Sequence, residues 1–255
     1  MSGLGLTLRQ VRFTNKAFWR NPASAFFTFA FPLMFLVIFT SLLGNNTVKI
    51  GGELIKSSTY YVAGMAAFAA ITASYTNIAM SVTFQRDAGV LKRLRGTPLP
   101  GWAYLMGRVV HAVLMAIVLV AICAVFGKLA YGAAIPTGTT LFKFLLMLII
   151  GAASFCALGL AVTSIIPNAD AAPAIVNATI LPLLFLSGIF ITIGDDAPAW
   201  VQWTGKVFPV RHFAEGMGAG FLGTPFAWRD VLIVALWGLA GLLLAVRYFS
   251  WEPRR

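Results

Sequence analysis

The chain has 255 residues, of which 59% are hydrophobic and 11% charged, and its mean hydropathy is +0.85. Soluble domains carry about 25% charged residues, so this composition excludes an ordinary water-soluble fold and makes the bilayer the natural solvent. Basic residues outnumber acidic ones 19 to 8, but the cations sit mainly between apolar runs, where they orient a chain in a membrane and do not point to nucleic acid.

The first twenty residues are basic. Leu4, Leu8, Val11 and Phe18 fall on one helical face, with Arg9, Arg12, Lys16 and Arg20 roughly opposite. This pattern predicts an amphipathic helix over 1–20, lying in the membrane interface. Asn21-Pro22 ends it and opens the first span, since proline suits a first helical turn.

A charge at mid-bilayer costs several kcal/mol and a span needs about 20 apolar residues, so uncharged runs mark the spans. They are Pro22–Leu43, Ser57–Phe84, Val109–Gly127, Phe144–Ile166, Ala171–Ile193 and Val231–Val246. The expected fold is all-α: one integral membrane domain over 1–255 with six transmembrane helices. The first run exceeds a signal-peptide core and is expected to be retained. The loop 44–56 is polar, and the link 167–172 makes a tight hairpin of spans four and five. The last span is short, but Arg247 can snorkel while Tyr248, Phe249 and Trp251 sit at the interface.

Twelve of the 19 cations, Arg86, Lys92, Arg93 and Arg95 among them, fall on the side of the N-terminus, and five of the eight acids fall on the other. The positive-inside rule therefore predicts both termini in the cytoplasm, in a bacterial-type cytoplasmic membrane. Residues 194–228 are too polar for a span and too apolar for an ordinary loop; Trp200, Val201, Trp203, Val207 and Phe208 make them interfacial, and Pro198, Pro209 and Pro225 interrupt them. They predict two short helices dipping into the outer leaflet, where irregular backbone needs protein or a watery cavity around it.

Between spans two and three, Val90, Leu91 and Leu94 are apolar at i, i+1 and i+4, with Arg86, Lys92, Arg93 and Arg95 around them, and Thr97-Pro98 stops the pattern. The expectation is a short surface helix over 84–98 that fixes topology or offers side chains to a soluble partner. Asp87, Gly89, Val90-Leu91, Lys92-Arg93, Leu94 and Thr97-Pro98 together resemble the cytoplasmic coupling region of type-2 ABC exporter permeases. That family more often has Glu where Asp87 stands. A second stretch is similar to the family's C-terminal signature: Leu186-Ser187-Gly188, then Pro198 and Trp200, then Phe208-Pro209 ahead of Glu215. Here Val210-Arg211-His212 replaces the family's usual Leu-Thr-Tyr. The closest likeness is to the drug- and lipid-exporting branch.

The resemblance implies a permease of a hydrophobic or amphipathic cargo. ATPase coupling would fall on Arg86, Asp87, Gly89, Val90, Leu91, Arg93, Leu94, Thr97 and Pro98. It also implies two permease copies and two ATP-binding cassette subunits, with ATP and Mg held by those partners. The chain lacks a Gly-x4-Gly-Lys-[Ser/Thr] phosphate loop, so no cofactor is expected in it. Its spans two and five would border the route, placing Thr76, Asn77, Ser81, Asn177, Thr179 and Ser187 as candidates; helix–helix hydrogen bonding is the plainer role for each. Membrane lipids are expected partners.

Arg211 and Glu215 are spaced for an i, i+4 pair beside His212. Gly216 and Gly220 have the spacing of closely packed helices. Asp170 suits a helix cap, His111 suits packing near the inner end of span three, and Cys123 and Cys156 suit small packing roles. No Cys/His cluster predicts a metal. A polysaccharide exporter of the same superfamily is the alternative, favoured by a more aromatic route. An ion-coupled carrier or channel would need charges inside the spans.

Overall fold

A computed structural model of the chain describes residues 3–43, 47–50, 53–190, 193 and 197–252. It is predominantly helical. Helix α1 (Gly3–Trp19) leads into α2 (Pro22–Leu43), and an antiparallel ribbon of β1 (Thr47–Ile50) and β2 (Glu53–Lys56), with Thr47 opposite Lys56, follows. The predicted polar loop thus carries a small β element, an addition to the expected all-α class.

Helices α3 (Ser57–Ile71) and α4 (Asn77–Asp87) join through a π-helical turn, Thr72–Thr76, into one rod. The short α5 (Val90–Arg95) precedes α6 (Gly101–Tyr131), α7 (Gly138–Val162) and α8 (Ala172–Phe185). The pair α9 (Ala199–Val207) and α10 (Pro209–Leu222) leads to α11 (Trp228–Tyr248).

Among the described residues, five helical stretches are long and apolar enough to cross a bilayer: α2, the α3–α4 rod, α6, α7 and α11. The region of the fifth predicted span holds the 14-residue α8, about 21 Å long at 1.5 Å per residue. Pro182 sits within it, and the chain then turns at Gly188, whose φ is +82°. Residues 191–192 of that predicted span lie outside the described residues. Helices α6 and α11 overrun their predicted apolar runs at both ends, and α7 at its start, because charges near a helix end leave the backbone ladder intact; α7 stops at Val162, short of the predicted Ile166.

The α3–α4 rod is the axis. Of its most apolar stretch 83% is buried, against 22% in α2 and 28% in α11. Ala63, Ala66, Ala67, Ala69, Ala70, Ala73 and Ala79 line it, and such small side chains let neighbouring helices approach. Gly64 admits the backbone of Ile189, and Gly159 of α7 admits Tyr75 of the π turn, whose carbonyl oxygen would stand 2.7 Å from an added Cβ.

Helix α11 lies on α7 through Gly238 and Gly241. A Cβ at Gly238 would meet the Ser154 Cα at 2.8 Å, and one at Gly241 would meet the Leu158 nitrogen at 2.9 Å. These obstacles are backbone, so Gly238→Leu must separate the helices; a loss of about 2 kcal/mol is expected, read as a lower unfolding temperature in detergent.

The first described helix and the last described residues meet at one end, the basic end. Gly3 packs on Trp102 and Gln10 on Gly107 at the start of α6, while Trp251 packs on Gly101 and Tyr104. The predicted amphipathic helix over 1–20 is present as α1. It faces the bundle with Thr7, Gln10 and Phe18, and leaves Leu4 and Leu8 exposed.

Candidate functional site

The predicted surface helix over 84–98 is broken. Helix α4 runs through Arg86 and Asp87, and the chain then turns at Gly89, with φ +69°, before α5 begins. Left-handed backbone of this kind suits glycine, which is why the continuous helix expected there does not form.

The two sides of the break face differently. Arg86 is 1% exposed. Its Nη1 donates to the Thr163 carbonyl at 2.8 Å, and its Nη2 to the carbonyls of Ile166 at 2.6 Å and Pro167 at 3.5 Å. These carbonyls follow the end of α7, where the helical ladder leaves acceptors without partners. Asp87 Oδ2 accepts the Ala169 N–H at 2.8 Å. Leu91 is fully buried, in a cluster with Ile78, Val82 and Tyr104. Arg86 and Leu91 are therefore turned into the protein, away from any soluble partner, while Lys92, Arg93, Arg95, Thr97 and Pro98 are exposed and Val90 and Leu94 are half-buried. Arg86 and Asp87 clamp residues 163–169, the link into α8. Asn168 rather than the expected Asp170 ties the turn before α8, its Oδ1 accepting the Ala171 N–H at 2.9 Å.

An apolar groove of about 730 Å³ separates α8 from α7 and α11. Ser164 and Tyr248 border it toward the basic end, and Phe208 and Pro209 toward the other. Between them stand Tyr75 of the π turn and Thr179 of α8. Thr179 donates to the Val176 carbonyl at 2.8 Å, so it accepts the Tyr75 hydroxyl proton across the groove at 2.7 Å.

Of the six predicted route residues, Thr179 lines this groove. Asn177 is exposed on α8, and Thr76 and Asn77 are half-buried. Ser81 donates to the Asn77 carbonyl at 2.5 Å and accepts from Arg108. Ser187 is buried and donates to the Leu184 carbonyl at 2.7 Å. The groove residue missed from sequence is Tyr75. Read as one more aromatic of an apolar run, it differs only by its hydroxyl among the Thr and Ser residues around it.

At the opposite end, α9 and α10 meet at Phe208, and Pro209 opens α10. Helix α10 is largely buried, with Gly216 against Met147 and Gly220 against Phe144 of α7. Helix α9 exposes Trp200 and Trp203. Residues 194–196 of the predicted hairpin lie outside the described residues. Arg211 Nε donates to Glu215 Oε1 at 2.7 Å.

His212 ties three helices together. Its Nε2 stands 3.0 Å from the Lys206 carbonyl of α9, and its Nδ1 stands 2.8 Å from Oδ1 of Asp230 in α11. A carbonyl only accepts, so Nε2 is the donor in its contact with Lys206, and the Nδ1 contact ties α10 to α11. His212, Glu215 and Asp230 bring ligand-type atoms within 4.8 Å of one another, but each is engaged in the bonds above. Asp230 lies 18 residues from His212, and no local spacing announces the contact.

Comparison with known proteins agrees with this architecture. The family model described as ABC-2 type transporter matches residues 7–222. The chain is 28% identical over 160 residues to the probable multidrug ABC transporter permease YbhR of Escherichia coli (strain K12), a match covering 63% of this chain and 42% of that protein. It thus spans less than half of YbhR. It is 22% identical over 226 residues to the protein YvfS of Bacillus subtilis (strain 168), covering 89% of each. It is 24% identical over 223 residues to the inner membrane transport permease YadH of Escherichia coli (strain K12), covering 84% of this chain and 80% of that one. With the family model extending from α1 to the end of α10 over a bundle of membrane-length helices, the chain belongs to the ABC-2 type transporter family.

Proposed function

We propose that this permease belongs to an ATP-driven exporter that moves a hydrophobic or amphipathic molecule, drug or lipid-like, across a bacterial cytoplasmic membrane. ATP and Mg are used by separate ATP-binding cassette subunits, and two permease copies form the working unit. The basic end faces the cytoplasm. Residues 172–190 complete a sixth crossing, and the α9–α10 pair sits in the outer leaflet, with Trp200 and Trp203 at the interface.

The observation that carries this reading is the connection at the basic end. Exposed Lys92, Arg93 and Arg95 offer a cationic docking face on α5. The turn beside it is clamped by Arg86 and Asp87 to the link that enters α8, and α8 forms one wall of the apolar groove. A push on α5 then moves α8 against α7 and α11. The groove's apolar lining suits an amphipathic cargo, and the exposure of Asn177 on α8 suits a boundary with the second copy.

The test is co-expression with an ATP-binding cassette subunit. Reversing Lys92, Arg93 and Arg95 to Glu should weaken capture of that subunit roughly 100-fold, at about 1 kcal/mol per charge. Ala178→Trp, at an exposed groove position, should leave capture intact and bring efflux of a fluorescent amphipathic dye from vesicles down to background. Unchanged capture would remove α5 as the docking face, and unchanged efflux would remove the groove from the route.

A further inference from the structure

A second cavity, of about 490 Å³, lies at the basic end between α1, the end of α4, α5 and α6. Its apolar walls include Leu6 and Phe13 of α1 and Val90 and Leu94 of α5. Among the described residues, Arg9 and Arg108 are its two cations, and no Asp or Glu lines it.

Arg108 is the unusual member. It is 4% exposed. Its Nη2 donates to the Ser81 hydroxyl, and its guanidinium carbon lies 5.8 Å from the centre of the Tyr104 ring. Its Nε is buried with no hydrogen-bond partner among the described residues. The ion pairs among those residues are Arg211–Glu215 and His212–Asp230, so no carboxylate balances this charge. Arg86 answers the same burial differently, by spending its fork on three carbonyls. A desolvated guanidinium with one hydroxyl and one ring for company calls for an anion, and its planar fork matches a phosphate.

We infer that this cavity binds the phosphate headgroup of an anionic membrane lipid. The phosphate is held by Arg108 and Arg9, and the glycerol and upper chains lie along Leu6, Phe13, Val90 and Leu94. Free phosphate has no use for four apolar walls. Exposed Leu4 and Leu8 on the same short helix place α1 where acyl chains lie. A bound lipid bridges α1 to α5. Binding itself does not depend on the proposed transport cycle, and its failure would leave that reading untouched.

The experiment is native mass spectrometry of the full chain in detergent, titrated separately with phosphatidylglycerol, phosphatidylcholine and inorganic phosphate. One phosphatidylglycerol per chain is expected to be retained in preference to phosphatidylcholine. Arg108→Gln and Arg9→Gln should each weaken that retention roughly tenfold, while Lys143→Gln at the opposite end should not change it. Should Arg108→Gln fail to fold, Arg9→Gln, whose side chain is exposed, decides alone. Equal retention of the two lipids, or retention unaffected by the arginine substitutions, would overturn the proposal. So would displacement of phosphatidylglycerol by millimolar inorganic phosphate, which would make this a site for the free anion.

Discussion

Arg86→Ala is expected to cost about 3 kcal/mol of stability, read as a lower unfolding temperature of the purified chain in detergent. The side chain is 1% exposed and donates to the carbonyls of Thr163, Ile166 and Pro167. Removing it strands the carbonyls of Thr163 and Ile166, both buried, where water does not reach readily. Arg86→Lys should recover little, because one ammonium group cannot reproduce a planar fork that reaches both Thr163 and Ile166. Asp87→Ala removes a single bond to the Ala169 N–H from a half-buried side chain, and should cost about 1 kcal/mol. That ordering distinguishes the clamp from a purely electrostatic role, in which Lys would substitute for Arg. In the proposed exporter, Arg86→Ala should also let the ATPase turn over without dye efflux.

Asp230→Ala is expected to cost about 3 kcal/mol, and Asp230→Asn only about 1 kcal/mol. Asp230 and His212 are both buried and hydrogen-bonded at 2.8 Å, while the other ring nitrogen donates to the Lys206 carbonyl. Alanine leaves the imidazole facing a void in which no partner answers its Nδ1. Asparagine can donate its amide N–H to that nitrogen while Nε2 keeps its own bond. A double-mutant cycle with His212→Ala should show a coupling of about 2 kcal/mol; additive effects would mean that the pair contributes nothing beyond packing. Because this one imidazole joins α9, α10 and α11, the loss should appear first as faster hydrogen exchange in α9.

Much of the bundle is legible in the sequence because the bilayer imposes a coarse rule. A stretch of about 20 residues without charge must bond its backbone internally, and a helix does so. Hence the helical stretches fall where the apolar runs predict them, and α1 falls on the basic amphipathic stretch. The same rule misleads at the edges. It treats every cation as a boundary, so Arg86 and Arg108 are read as surface residues, whereas both are buried within helices that continue past the apolar run. It also carries the fifth apolar run on to Ile193, whereas the helix ends at Phe185 and the chain turns at Gly188.

The candidate site was legible in part. The segment 84–98, the Arg211–Glu215 spacing and Thr179 stand out from residue types alone. The direction in which Arg86 points, the seating of Leu91 in a cluster, and the meeting of Tyr75 with Thr179 do not. Tyr75 and Thr179 are 104 residues apart, and Arg86 and Thr163 are 77 apart.

What the sequence determined by itself is the solvent, where most of the apolar helices fall, and which end of the bundle is basic. These follow from local hydropathy and charge, which each residue carries wherever it lies. The tertiary structure alone decided which polar groups meet across helices: Arg86 on the end of α7, Asp87 on the link to α8, and Asp230 on His212. Such contacts join segments distant in the chain, and the need to satisfy a buried polar group does not specify its partner until the helices have packed.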